Sequence, residues 1–308
     1  KETIKLNIGY MPNYGSLWSV TTAIEKGYFA EAGIEVKLWE FADGPTIINA
    51  MESGTIDMGY IGHGAHKLCI QGKAKIFALS HISNGDAVIG GPNVKTLEDL
   101  KGKTVGYSGG TSSEDILKNA LAKAGLTMSD ITAMEMGAEN LTTAALSGSL
   151  DAVACWSPNS LKIMDEWQGA TKLADNVMFA DTNVSLASWI VLDKYASENA
   201  DKVLAFTKAL YKAMDYAAAA TTDDAVAEEV AGYIAAVIAS DAETVIAQRY
   251  DGSWLTSDAM MELLDSGKLV QIYADQQANF IAGGKLEATG NLDASEFVLT
   301  GVMEAAAK

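Results

Sequence analysis

Apolar positions alternate with polar ones from the first residues, where Ile4, Leu6 and Ile8 share one face of a half-buried strand ending at Gly9-Tyr10. A loop through Pro12, Asn13 and Gly15 follows, and residues 19–30 predict a helix. Alternation returns in Ile34-Glu35-Val36-Lys37-Leu38, a second strand; residues 45–52 predict a helix closed by Gly54, and residues 58–61 a third strand. The same rhythm follows a second time. Residues 104–107 predict a strand, 113–124 a helix stopped by Gly125, 141–146 a helix and 152–155 a strand. Strands that alternate with helices predict a mostly parallel sheet flanked by helices.

The two passages also repeat in residue detail. Ala50-Met51-Glu52-Ser53-Gly54-Thr55-Ile56-Asp57-Met58 reappears as Ala144-Ala145-Leu146-Ser147-Gly148-Ser149-Leu150-Asp151-Ala152. Ala32-Gly33-Ile34 is echoed by Ala124-Gly125-Leu126, and Ile8-Gly9-Tyr10 by Val105-Gly106-Tyr107. A period of about a hundred residues gives each copy room for its own sheet and helices, so two lobes of one design are expected, with a ligand held between them. The apolar strand 76–79 leads into a Gly-rich stretch, 84–92, expected to cross between lobes, with 189–192 as the return crossing and the pair acting as a hinge. The expected division is 1–86 for the first part of lobe 1, 87–190 for lobe 2, and 191–308 for the return to lobe 1. Everything after Asp193 is helical in pattern and is expected to buttress lobe 1; its Ala-rich part suits plain helix packing.

Composition narrows the function. With 308 residues, 49% of them hydrophobic, the chain can bury a sizeable core, yet it contains no run of about eighteen apolar residues such as a membrane-spanning helix requires. A formal net charge of -18 and the lack of any basic stripe argue against a nucleic-acid partner. Cys69 and Cys155, one per repeat, make neither a disulfide framework nor a metal-ligand spacing. Starting at Lys1-Glu2-Thr3-Ile4, without Met or an apolar leader, the chain has the form expected of a mature protein whose targeting segment has been removed.

Gly27-Tyr28-Phe29-Ala30-Glu31-Ala32-Gly33-Ile34 resembles a signature of the solute-binding proteins of nitrate, sulfonate and taurine type ABC importers. Gly44-Pro45, Ser53-Gly54-Thr55-Ile56-Asp57, the run from Leu97-Glu98-Asp99-Leu100 to Thr104-Val105, and Asp151-Ala152 through Trp156-Ser157-Pro158 resemble the same family, in order and at similar spacing. The resemblance implies a two-lobed α/β periplasmic binding protein of the second structural class. It also implies a periplasmic or membrane-associated extracellular location, with or without a former lipid anchor, and a membrane permease as partner. A monomer without cofactor, metal or catalytic activity is expected; an enzyme of the thiamin-pyrimidine-precursor type on the same fold is the alternative of another class.

In open parallel sheets ligands bind beyond the carboxyl ends of the strands, where loops enter helix N-termini. The segments at those edges are 10–18, 62–66, 81–86, 107–114, 156–159 and 183–189. None contains Lys or Arg, and the only arginine of the chain is Arg249. Anion sites commonly use a guanidinium or ammonium group. Here there are instead carboxylates, Asp86 and Glu114, and aromatics, Tyr10, Tyr14, Trp18, Tyr107, Trp156 and Trp189, the means of holding a small cation. A guanidinium-like ion or small amine is therefore expected, with taurine, an alkylsulfonate or another small anion as the alternative. The ligand set expected is Tyr10, Trp18, His63, Asp86, Tyr107, Ser112, Glu114, Trp156 and Trp189. Plainer readings stand beside it: Ser112 and Glu114 suit a helix start, Trp18 and Trp189 suit a core, and Asp86 suits a turn. His63 and His66, in a Gly-rich turn, fit a ligand donor or a cap better than a metal pair.

Overall fold

A computed structural model describes residues 2–308 of the chain. Its strands are β1 (Ile4–Tyr10), β2 (Ile34–Glu40), β3 (Met58–Ile61), β4 (Lys75–Ser83), β5 (Asp86–Gly90), β6 (Thr104–Tyr107), β7 (Thr132–Glu135), β8 (Ala152–Trp156), β9 (Thr171–Asp175), β10 (Leu186–Val191) and β11 (Gly252–Trp254). They form two sheets, one with the order β11-β4-β10-β3-β1-β2 and one with the order β7-β6-β8-β5-β9. Each sheet has a parallel part where the repeats lie, β2-β1-β3 and β7-β6-β8. The strands on either side of the lobe crossings, β4, β5, β9, β10 and the short β11, pair antiparallel.

The chain leaves the first sheet after Ser83, enters the second at Asp86, and comes back between Asn176 and Leu186. The return crossing therefore precedes the expected 189–192. Those residues lie within or just beyond β10, a strand buried along its whole length between β3 and β4. A strand covered on both faces reads as one apolar run, and a run alone does not show where a crossing lies. The expected helix 19–30 is broken as well: Val20–Glu25 ends before Gly27, whose φ of 76° only glycine adopts without strain, and Tyr28–Glu31 restarts. β7, β9 and β11 lie outside the predicted strands, and β11 interrupts the supposedly all-helical C-terminal part.

Two cores follow from the two sheets. The larger one includes β1, β3, β4 and β10 and takes in the long C-terminal helices: Phe206, on Ala200–Ala217, stacks on Phe29 at 5.0 Å and meets Phe77 at 6.0 Å. Trp18 and Trp189 are both fully buried there. At roughly 200 Å² removed from water, each contributes about 5 kcal/mol before entropy is counted. Smaller clusters on the two faces of the second sheet hold lobe 2 together.

Candidate functional site

The ends of β3, β4 and β10, the approach to β11, and the facing edge of lobe 2 enclose a cleft of about 630 Å³, counted out to its open mouth. Lobe 1 lines it with Tyr14, Tyr60, His63, His81, Asp251 and Trp254, and lobe 2 with Thr111, Ser112, Trp156 and Ser157. Asp86 stands where the chain crosses.

Local sequence places each group. Thr111 is the N-cap of the Ser112–Lys123 helix, its hydroxyl accepting from the Ser113 N–H, which sets Ser112 at the first helical position facing Asp86. Ser112 Oγ donates to Asp86 Oδ1 at 2.7 Å, while Asn176 Nδ2 and Ser185 Oγ donate to Asp86 Oδ2 at 2.9 and 3.3 Å. Asp86 therefore gathers both crossings and a lobe 2 helix around one buried carboxyl. Burial pushes its pKa up, and the three donors oppose that shift.

Asp251 lies at the other end. Ser157 Oγ of lobe 2 donates to its Oδ2 at 2.5 Å, and its Oδ1 has no partner among the described residues. Burial pushes this carboxyl up to about 6, against the Ser157 hydrogen bond. Above Asp251, Trp254 packs at 4.5 Å from the His81 ring, 4.9 Å from Tyr14 and 5.2 Å from Trp18, and His81 lies parallel to Tyr60 at 6.2 Å. Both imidazoles are neutral: burial lowers His81 to about 3, and burial followed by the Lys285 and Lys67 charges takes His63 well below its usual range. Among the described residues no lysine or arginine lines the cleft.

The lobes touch beyond the cleft too. Gly64 packs on the backbone of Thr111 so closely that a Cβ would collide with the Thr111 carbonyl. Lys67 Nζ of lobe 1 meets Asp115 Oδ1 of lobe 2 at 2.8 Å; Lys285 Nζ lies 3.8 Å from the same oxygen and donates to Asn119 Oδ1 at 2.7 Å.

Of the nine expected ligand residues, the structure brings His63, Asp86, Ser112 and Trp156 to the cleft. The other five lie elsewhere. Tyr10 is buried and donates to Glu40 Oε2 at 3.2 Å, and Tyr107 turns its hydroxyl to Glu135. Glu114 accepts from the Gly110 N–H at 2.8 Å and pairs with Lys118 at 2.9 Å, filling the helix-start role. Burial alone would raise its carboxyl; Lys118 and the Gly110 N–H outweigh that and hold it below the ordinary range. Trp18 donates to Ser80 Oγ and supports Trp254 from beneath, while Trp189 packs in the core against Tyr60 and Phe206, each at 5.8 Å. Outside the expected edge segments the cleft also takes in Gly44, Pro45, Tyr60, Gln248, Asp251 and Trp254. Asp251-Gly252 is a turn dipeptide that signals a break in the helical pattern, and it marks where the chain re-enters the cleft.

Comparison with known proteins agrees with this architecture. A protein of Brucella abortus named as a putative binding protein is 28% identical over 298 residues, covering 97% of this chain and 91% of that protein. The periplasmic aliphatic sulphonate-binding protein of Escherichia coli superposes with a TM-score of 0.70 at 20% identity over 98% of this chain and all of that one. The periplasmic nitrate-binding protein of Synechocystis PCC 6803 gives 0.78 at 15% identity, over 99% of this chain and 89% of that one. The fold is therefore that of the periplasmic binding proteins. The NMT1/THI5-like family profile matches residues 17–223, two thirds of the length, and the chain belongs to that family.

Proposed function

We propose that this protein is the extracytoplasmic solute-binding component of an ABC importer, that it captures a small nitrogen-containing cation between its lobes, and that it hands this cargo to a membrane permease. The family, the fold and relatives named for binding support the first part. The cargo rests on one observation: among the described residues two carboxyls and four aromatic rings line the cleft beside the histidines, and no lysine or arginine does. A cation over the Trp254, Trp156 or Tyr60 ring gains roughly 0.5 to 2 kcal/mol per face, and a carboxylate within about 4 Å adds more. A nitrate or sulfonate would meet Asp86 and Asp251 with nothing of opposite charge to offset them. Relatives that bind such anions share the scaffold, and ligand charge is set by side chains that 20% identity leaves free to change.

Turnover has less support. Two Ser–His contacts exist, Ser80 with His81 Nδ1 and Ser188 with His66 Nε2, but both serines are fully buried and neither lines the cleft. Burial also pushes both cysteine thiols up, away from the reactive thiolate. The test is a thermal-shift and calorimetric screen of guanidinium, methylguanidine, small amines and choline beside taurine, alkylsulfonates, nitrate and pyrimidines. Stabilisation by cations alone supports the reading, and stabilisation by anions alone sinks it.

A further inference from the structure

Behind the cleft a chain of buried polar groups runs into lobe 1. Gln276, on the Lys268–Ala282 helix, places its Nε2 2.6 Å from His63 Nδ1 and 3.0 Å from His66 Nδ1, and His66 Nε2 lies 2.8 Å from Ser188 Oγ, which in turn lies 2.7 Å from the Tyr273 hydroxyl. The direction of these bonds is fixed by a group that cannot turn round. The backbone N–H of Leu186 donates to His63 Nδ1 at 3.3 Å, so that nitrogen is an acceptor. Gln276 must then present its NH2 group, one hydrogen to each imidazole, which leaves its Oε1 buried without a partner among the described residues. Reversing the amide would put a proton on His63 Nδ1 facing the Leu186 N–H, losing the backbone bond. With Nδ1 accepting, the ring proton of neutral His63 is on Nε2. That N–H has no partner among the described residues, and His63 lines the cleft.

The open acceptor lies at the opposite end. Asp86 already receives three donors, whereas Asp251 Oδ1 receives none among the described residues. His63 follows β3 and Asp251 precedes β11, with β10 and β4 between them, so the two groups stand at the same sheet edge about 14 Å apart along the backbone. Both residues line the cleft, so one solute lying across it meets both. A bare guanidinium ion has only donors and would leave the His63 N–H unmatched.

We infer that Gln276 is a positioning residue that holds His63 as an Nε2–H donor, and that the solute is a small nitrogenous cation also bearing a neutral hydrogen-bond acceptor, a carbonyl oxygen or ring nitrogen. The inference rests on the cationic reading above and sharpens it. A carboxylate acceptor is disfavoured because it would share the cleft with Asp86 and Asp251.

The experiment pairs two probes with a similar cationic end, methylguanidine and guanylurea, the second carrying a carbonyl, titrated calorimetrically into the full-length protein. Two-bond proton–nitrogen NMR of the labelled chain, with His63→Gln to assign the signal, reads which ring nitrogen holds the proton. The expected result is Nε2–H and guanylurea binding at least about tenfold tighter, the worth of one hydrogen bond to a buried donor. Gln276→Glu, which as a carboxylate can only accept, moves the proton to Nδ1 and brings the affinity ratio to about one. An Nδ1–H His63 in the wild type, equal affinity for the two probes, or a ratio unchanged in a Gln276→Glu protein whose tautomer has switched would each overturn the inference. The second needs no variant to fold. Binding of taurine or nitrate with no response to either cation would overturn the cationic reading itself.

Discussion

Asp251→Asn separates the charge of the cleft from its shape. The amide keeps the size of the side chain and can still accept from Ser157 Oγ, so the lobes lose no hydrogen bond. In the wild type the carboxyl moves from 3.8 to about 6 on folding. The folded state holds this proton more tightly than the unfolded one. Between about pH 4 and 6 the unfolded chain therefore binds fewer protons, and stability falls as pH rises. At 1.36 kcal/mol per unit, the cost approaches about 3 kcal/mol above pH 6 in the free protein. The Asn variant carries no such cost. It should match the wild type near pH 4 and exceed it by up to about 3 kcal/mol at pH 7.5 in urea unfolding. Cation binding should move the other way. A full charge about 4 Å away at an effective dielectric of 20 is worth about 4 kcal/mol, and if desolvation removes half of that, the Kd for methylguanidine rises roughly 30-fold. A variant that is less stable than wild type at pH 7.5, or that binds the cation undiminished, would refute the reasoning.

Further expectations follow from single contacts. Trp156→Ala should weaken cation binding about 3- to 30-fold by calorimetry through loss of one aromatic face, whereas Glu114→Gln should leave affinity unchanged and lower stability by about 0.5 to 1 kcal/mol. Gly64→Ala places a methyl against the Thr111 carbonyl, so small-angle scattering should show lobes held apart and titration should show loss of binding, with secondary structure intact by circular dichroism. Asp115→Asn leaves Lys67 and Lys285 without their shared carboxylate between the lobes. It should cost about 3 kcal/mol in denaturant unfolding, and an unchanged midpoint would show that the pair contributes nothing. Trp18→Leu should lower the melting temperature by several degrees while altering affinity only through the support it gives Trp254.

Much of the scaffold was legible along the chain because its signals are local. The alternation at Ile4, Leu6 and Ile8, the glycine stops at Gly54 and Gly125, and the duplicated Ser-Gly-x-x-Asp turns each act within a few residues, and together they predicted two lobes and placed the parallel strands. The lack of lysine and arginine at the strand ends was equally visible, and among the described residues the cleft has none. Which aromatic and acidic side chains face that cleft was not. Trp189 and Trp18 look alike to Trp156 in sequence, but β10 is central and covered on both faces, whereas β8 ends where the lobes part. Glu114 lies two residues from Ser112 and turns away, because the first turn of the helix offers it Gly110 and Lys118. Asp251 and Trp254 arrive from more than 160 residues beyond β4, through a three-residue strand too short to show a period. Sequence alone determined the elements, the duplication and the charge of the edges, since these depend on neighbours in the chain. Only the tertiary structure decided which groups converge, because burial and pairing between distant segments set where each side chain points and whether its carboxyl or imidazole is charged.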